Sequence, residues 1–150
     1  MAQKKYSVVG VDAGGAAPQT LINVIGSTSV RPRVYEFIVG SVTTPGDQAA
    51  TIVLGRTTAA GTAGSSPTPQ PLDNAEVAAV CTAGITHSSE PTYAATFLYQ
   101  CPLNQRASWR WVAAPDSEII GTASSSNGLA LKRHASTGTY TLTGTVFFSE

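Results

Sequence analysis

Residues 105–112 read Gln-Arg-Ala-Ser-Trp-Arg-Trp-Val, and their alternation constrains the fold more than any other stretch of the chain. Side chains alternate between the two faces of a β-strand, so an extended conformation places Trp109 and Trp111 on one face and Arg106 and Arg110 on the other. Each indole can bury roughly 150–250 Å² against a core. The stretch therefore predicts a half-buried core strand of a β-sandwich. The alternative interpretation is that the two indoles form an exposed platform on which sugars or bases stack.

The composition favours turn-rich β structure over a helical bundle. Of the 150 residues, 34 are Ser or Thr, 14 are Gly and 9 are Pro, whereas charged residues make up only 12%. This mixture is typical of strands and turns, while helices use more Leu, Glu, Lys and Arg. A chain of this length forms about one domain. We therefore expect a single all-β domain.

Other segments also alternate like strands. In residues 31–42, the face that carries Tyr35, Phe37 and Val39 is the better candidate for the core, and residues 50–56 are predicted to return as the second strand of an antiparallel hairpin. Residues 138–148 alternate most regularly. Their predicted inward residues are Tyr140, Leu142, Gly144, Val146 and Phe148.

Together these segments predict a single antiparallel β-sandwich of about eight strands with jelly-roll-like connectivity. The exception is residues 72–82, where Asp73 or Asn74 can cap one short helix. Residues 57–70 form a long Ala/Gly/Ser/Thr/Pro-rich loop, which we expect to be ordered only by neighbouring molecules. Residues 1–20 are predicted to be an N-terminal strand or arm followed by a mobile connection, and residues 21–150 to be the sandwich domain.

The charge balance argues against two classes of partner. Nine basic and nine acidic residues give a formal net charge of zero, which is not the electrostatic footprint of a protein that binds nucleic acid or an anionic membrane. No apolar run resembles a signal peptide or a membrane span, so we expect a protein that is made and kept in a reducing cytoplasm. Cys81 and Cys101 are expected to be free, mostly buried thiols, with a single disulfide as the alternative.

A search for catalytic chemistry selects few residues. His87 and His134 are the only histidines, and neither has the spacing of a metal ligand to another His or Cys. Ser88 or Ser89 with His87 and Glu90 would be the components of a nucleophilic triad, but adjacent residues seldom reach that geometry. We therefore expect no catalytic, cofactor-binding or metal-binding residues, and we expect that the chain is not an enzyme.

Four arginines form the polar set of most interest. On the predicted strands they project to the side away from the aromatic core, where Arg can bind carboxylates with two hydrogen bonds or lie against aromatic surface. The set is either a solvated face or a contact for another subunit or partner. Its members are Arg31, Arg33, Arg106 and Arg110.

Five strings of residues, at 31–37, 60–69, 87–93, 103–115 and 144–150, carry a resemblance. They read Arg-Pro-Arg-Val-Tyr-Glu-Phe, Ala-Gly-Thr-Ala-Gly-Ser-Ser-Pro-Thr-Pro, His-Ser-Ser-Glu-Pro-Thr-Tyr, Leu-Asn-Gln-Arg-Ala-Ser-Trp-Arg-Trp-Val-Ala-Ala-Pro and Gly-Thr-Val-Phe-Phe-Ser-Glu. With these strings the chain resembles small virion structural proteins of tailed bacteriophages, of the type that decorates or cements the head. The resemblance extends over nearly the whole chain, and none of the strings that carry it is a catalytic motif.

The resemblance implies a β-sandwich that assembles as a homotrimer on the outer capsid surface and stabilises the contacts between major capsid protein subunits. The implied partners are the major capsid protein and other copies of this chain, with no nucleic acid, membrane or small-molecule substrate. Residues 1–15 would serve as an extended arm against the shell. The alternatives are a phage tail or neck subunit, and a carbohydrate-binding receptor module in which Trp109, Trp111 or Tyr93 is exposed.

Overall fold

The computed structural model describes residues 3–12, 18–136, 138 and 140–150. Within these ranges the chain forms eleven β-strands and no helix, so no described segment is a helix that could cross a membrane. The strands are β1 (Lys5–Val11), β2 (Gln19–Ile25), β3 (Arg33–Ser41), β4 (Ala49–Ala59), β5 (Gln70–Pro71), β6 (Thr82–Gly84), β7 (Thr92–Asn104), β8 (Trp109–Val112), β9 (Ile119–Ile120), β10 (Gly128–Ser136) and β11 (Leu142–Ser149).

The strands form two antiparallel sheets. Sheet A has the order β5-β1-β11-β3-β8, with β9 also paired to β3, and sheet B has the order β6-β2-β10-β4-β7. The predicted all-β antiparallel fold is confirmed. The predicted count of about eight strands is wrong, because β5, β6 and β9 add three strands of only two or three residues, too short to leave an alternating pattern in the sequence.

The core lies between the two sheets and combines residues of both. Leu142, Val146 and Phe148 of β11 are buried there, as the alternation of the last strand predicts, and Tyr140 is buried just before that strand begins. The strand starts at Leu142 instead of residue 138. Side-chain alternation therefore identified the inward face correctly, while the limit of the strand depended on its pairing with β1 and β3.

Strand β3 follows the predicted faces over only half of its length. Phe37 and Val39 point into the core, but Tyr35 is half-buried on the other side and Val34 is buried in its place. The cause is an irregularity in the pairing with β11, where the register shifts between Phe147 and Phe148. An extra residue in one strand reverses the faces of all residues on the far side of the bulge.

The predicted hairpin between residues 31–42 and 50–56 is wrong. Strand β3 pairs with β11, β8 and β9 in sheet A, whereas β4 pairs with β10 and β7 in sheet B. The connection crosses from one sheet to the other. The buried side chain of Gln105 holds this crossing, since its Oε1 accepts a hydrogen bond from the Gly46 N–H at 3.0 Å.

The predicted helix over residues 72–82 is also wrong. Asp73 caps only a single turn, in which its Oδ1 accepts from the Ala75 N–H at 2.9 Å. Beyond that turn, the Glu150 carboxylate accepts hydrogen bonds from the backbone N–H groups of Val80 and Cys81, each at 2.9 Å at the closest oxygen. Because these N–H groups donate to Glu150, they are not available for helical hydrogen bonds, and the segment runs along the sandwich without forming a helix.

The long loop after β4 is anchored by its own chain. Its first residues continue β4 to Ala59, and isolated bridges pair Thr62 with Ser89 and Ser65 with Ile85. At its end, β5 pairs with β1. The expectation that only neighbouring molecules order residues 57–70 is therefore wrong, because backbone pairs with a second loop supply the order that the small side chains do not.

The N-terminal stretch contributes a strand to the sandwich. Strand β1 lies between β5 and β11, with Tyr6 paired to Phe148 and Val8 to Val146. Of the arm predicted over residues 1–15, the part from Lys5 to Val11 is thus a paired strand. Residues 1, 2 and 13–17, which include most of the predicted mobile connection, lie outside the described residues.

Both cysteines are free thiols, as expected. Cys81 is buried, and burial together with the hydrogen bond and charge of Glu150 raises its pKa to about 12. Cys101 is only half-buried, on β7. Cys81 is therefore a packed core residue without thiolate reactivity at neutral pH.

Candidate functional site

The outer face of sheet A carries several exposed aliphatic side chains. It carries Val9 and Val11 of β1, Ile38 of β3 and Val112 of the edge strand β8, with Thr143 and Thr145 of β11 between β1 and β3. The four aliphatic side chains expose between 37% and 59% of their area. We refer to these six residues as the apolar face. Outward residues of an antiparallel sheet are normally polar, so this arrangement is typical of a surface that binds another molecule.

The apolar face contains a shallow groove and one ion pair. A shallow groove of about 210 Å³ runs between Ile38, Gly40, Ser108 and Thr143. Between Ile38 and Val112, Arg110 makes an ion pair with Glu36, at 2.7 Å between Nε and Oε1, so that the two charges within this face cancel. A partner for this face therefore needs shape and apolar contact more than charge.

The free edge of sheet B is protected against strand addition. Within the described residues β7 pairs only with β4, although it is 13 residues long. The Gln105 N–H donates to the Gln48 carbonyl of the preceding segment at 2.9 Å. Hydrogen-bonded and non-hydrogen-bonded pairs alternate along an antiparallel ladder, so in the regular register three residues back the nitrogen of Pro102 points away from β4, to the free edge. Proline has no N–H to donate, so it disfavours edge-to-edge pairing. The apolar face of sheet A is therefore a better candidate for a binding surface than this edge.

The two tryptophans lie on the inward face of β8, as predicted. Trp109 meets Phe37 edge to face with 4.7 Å between ring centroids, and Trp111 stacks on Phe37 at 5.5 Å. Trp111 also contacts Tyr99 of β7 at 5.0 Å. Both indoles are half-buried against the core, where they fill the gap between the edge strands of the two sheets. One side of each indole is therefore already occupied by another aromatic ring.

The four predicted arginines do not form one set. Arg110 belongs to the ion pair within the apolar face, Arg106 is exposed in the turn after β7, and Arg33 pairs through its backbone with Ile120 and Ser149. Arg31 lies in a different place, in a cleft between the sheets. Strand alternation cannot show this separation, because it describes faces within one strand and not the positions of different strands.

This cleft, which we call the arginine cleft, opens where β9 of sheet A approaches β7 of sheet B. It has a volume of about 420 Å³. Arg31 Nε donates to the Gly121 carbonyl at 2.9 Å, and Arg56 Nη1 donates to the adjacent Ile120 carbonyl at 2.6 Å. Its lining residues are Arg31, Arg56, Leu98, Tyr99, Glu118, Ile119 and Ile120.

Arg56 and the valines of the apolar face are the candidate residues that the sequence analysis missed. No sequence pattern near Arg56 predicts that it shares a cleft with Arg31. Each arginine is held there by a hydrogen bond to a loop that lies more than 60 residues further along the chain. A signal for the apolar face was present. Strand β1 carries Tyr6 and Val8 on one side and Val9 and Val11 on the other, and a strand that is apolar on both faces predicts a second buried surface.

His87 lies in a small polar cluster that does not form a triad. The Glu90 carboxylate accepts hydrogen bonds from Thr20, at 2.9 Å from the backbone N–H and 2.5 Å from Oγ1. Ser88 bonds to the backbone carbonyl of Thr62 instead of to His87. The cavity beside His87 has only about 10 Å³, room for no more than a single water. Ser88 and Glu90 thus bond to groups other than His87, and the three neighbours in sequence do not form a triad.

Tyr93 and His134 also lie on the outer side of sheet B. Tyr93 bonds to Thr20 Oγ1 at 2.7 Å, its pKa is raised by burial, and Lys132 Nζ is 4.4 Å from the centre of its ring. His134 is exposed and meets the ring of Phe97 at 4.9 Å. Across the described residues, no three His, Cys, Asp or Glu side chains come together as metal ligands.

Lowering the pH from about 7.5 to about 5.5 is expected to destabilise the protein in part through His87. Burial lowers the pKa of His87 below its ordinary value of 6.5, against the opposing effects of the Glu90 charge and the Thr20 backbone. The unfolded chain therefore binds a proton that the folded protein resists, and stability falls as the pH drops through this range. Urea unfolding at both pH values measures the difference.

The variant His87→Gln should reduce this pH dependence, while the exposed His134→Gln serves as the matched control and should retain it. An unchanged pH dependence in His87→Gln would contradict the assignment.

Comparison with known proteins gives no relatives: no family model, no curated protein and no solved structure matches this chain.

Proposed function

We propose that this protein is a decoration, or cement, protein of a tailed-bacteriophage head, which binds the outer capsid surface and stabilises contacts between major capsid protein subunits. The apolar face of sheet A is the observation that supports the proposal most strongly. Four aliphatic side chains on three strands are left in contact with water, at a free-energy cost that a binding partner removes. The resemblance to virion structural proteins supplies the identity of that partner.

In this proposal the sandwich is a jelly roll. Its eight longer strands alternate between the sheets along most of the chain, so that β1-β11-β3-β8 faces β2-β10-β4-β7. This order is the one that two interlocked Greek keys produce, and the jelly roll is a frequent fold of virus capsid components. The chain acts as a homotrimer without catalysis. Symmetric repetition then multiplies modest binding energies over the shell.

The test compares phage heads assembled with and without this protein. Heads that lack it should lose their DNA or disassemble at a lower temperature, and adding the purified protein should restore the higher temperature. Electron microscopy of a labelled copy should place it on the head in many copies. Equal thermal stability of the two kinds of head, or a label confined to the tail or neck, would contradict the proposal.

A matched pair of variants tests the binding surface. Val9→Asp places a charge on the apolar face, and Val77→Asp makes the same change at an equally exposed valine, at 59% and 57% exposure, in the segment before β6. We expect the first to lose binding to heads by at least about tenfold, because a carboxylate would have to be desolvated at the interface, and the second to bind normally. Equal binding of both folded variants would exclude the apolar face as the contact surface.

A further inference from the structure

The arginine cleft is lined by two arginines, Arg31 and Arg56, whose side chains are both exposed to water. Arg31 and Arg56 bond to consecutive carbonyls, those of Gly121 and Ile120, so both side chains converge on the same loop. Among the described residues neither makes an ion pair, although Glu118 lines the same cleft. Two positive charges that line the same cleft attract an anion to it.

We propose that the arginine cleft binds a carboxylate side chain of a protein partner, with the apolar neighbours of that side chain packed against Leu98 and Tyr99. The inference stands on the cleft itself and does not rest on attachment to a capsid. The backbone hydrogen bonds of Arg31 and Arg56 use only one N–H of each guanidinium. The remaining N–H groups form the planar fork that matches a carboxylate.

The lining of the cleft selects the class of anion. Leu98 and Tyr99 are about 38–39% exposed at its rim, and Ile119 and Ile120 form its wall. A volume of about 420 Å³ is suited to one side chain and its neighbours, near the lower end of small-ligand sites. The nearby Glu118 disfavours a phosphate dianion more than a carboxylate, and the zero net charge supplies no wider attraction for nucleic acid. A glutamate or aspartate flanked by apolar residues fits all of these features.

The experiment titrates the ¹⁵N-labelled full chain with a blocked peptide, acetyl-Leu-Glu-Leu-amide, and follows the backbone and arginine Nε–H signals by NMR. The matched peptide acetyl-Leu-Gln-Leu-amide and inorganic phosphate are the comparison probes. We expect the Glu peptide to shift the signals of Arg31, Arg56 and Tyr99 and to bind at least about tenfold more tightly than the Gln peptide, because charge-assisted hydrogen bonds are the stronger class. Its affinity should fall with added salt.

Variants assign the binding to the two arginines. Arg31→Gln and Arg56→Gln should each weaken binding of the Glu peptide by about tenfold or more, and Arg106→Gln, at an exposed arginine outside the cleft, should leave it unchanged. Arg31→Lys, which keeps the charge and loses the planar fork, should also bind more weakly and replaces Arg31→Gln if that variant does not fold. Equal affinity for the Glu and Gln peptides, normal binding by Arg31→Gln, or tighter binding of phosphate than of the Glu peptide would each overturn the inference.

Discussion

Replacing Arg133 with methionine is expected to destabilise the protein by about 3–5 kcal/mol, the cost of leaving a buried charge without its partner. Arg133 and Asp12 are both fully buried, with 3.2 Å between Arg133 Nη1 and Asp12 Oδ2. The guanidinium also donates to the Tyr140 carbonyl at 2.9 Å and to Gln19 Oε1 at 3.1 Å. Asp12 Oδ1 accepts from the Leu142 N–H at 3.0 Å. The pair thus joins β1, β2, β10 and β11 at one end of the sandwich.

Urea unfolding of Arg133→Met, Asp12→Leu and the double variant measures this contribution. The double variant should recover much of the loss, because two apolar side chains can replace a buried ion pair at little cost. Arg110→Met is the control, since its ion pair with Glu36 is exposed and screened by water, and it should cost far less. A loss in Arg133→Met as small as that in Arg110→Met would show that the buried pair does not stabilise the fold.

Replacing Phe37 with alanine is the second change with a large expected effect, about 3–5 kcal/mol, because it removes a fully buried aromatic ring and leaves a cavity. Both tryptophans pack against Phe37, whose ring centroid lies 4.7 Å from that of Trp109 and 5.5 Å from that of Trp111. Its loss should also admit water to the indoles. We therefore expect a red shift of tryptophan emission in the folded variant, measured together with urea unfolding.

Phe147→Ala is the matched control for this prediction. Phe147 is half-buried on the outer side of sheet A, where its ring faces Tyr35 at 6.4 Å. Its removal should cost less and should leave tryptophan emission unchanged. If Phe37→Ala left the emission unchanged as well, the indoles would not depend on the core, and an exposed stacking platform would become the better interpretation of Trp109 and Trp111.

Alternation within single strands was the part of the fold that could be predicted. The shared face of Trp109 and Trp111 and the buried row from Leu142 to Phe148 follow from the period of two in an extended chain. The all-β class followed from the composition. Alternation predicted the wrong face where the strand pairing is irregular, as at Tyr35, where a bulge in the pairing with β11 reverses the faces.

Local signals failed where distant groups compete for the same backbone. The segment after Asp73 begins with a residue that can cap a helix, yet Tyr6 Oη donates to the Val77 carbonyl and the Glu150 carboxylate accepts from the N–H groups of Val80 and Cys81. These partners lie about 70 residues away in the chain. Helix propensity is a weak preference that such contacts override.

The candidate binding surfaces were predictable to different degrees. Four arginines were predicted as one polar set because Arg is suited to carboxylates and aromatic surfaces, but the structure separates them: Arg31, Arg33, Arg106 and Arg110. Arg31 shares the cleft with Arg56, and each of them bonds separately to the loop of Ile120 and Gly121. The apolar face could have been found from β1, where valines follow one another on both sides of the strand.

By itself the sequence determined that the chain forms strands, which face of several strands is apolar, and that its surface carries no net charge. These properties depend on residues that are close in the chain. Only the tertiary structure decided which sheet each strand joins, that β3 and β4 separate, and that Arg31 and Arg56 converge on one cleft. Such pairings join residues far apart in sequence, and their free energy depends on packing between surfaces that do not exist until the two sheets have formed.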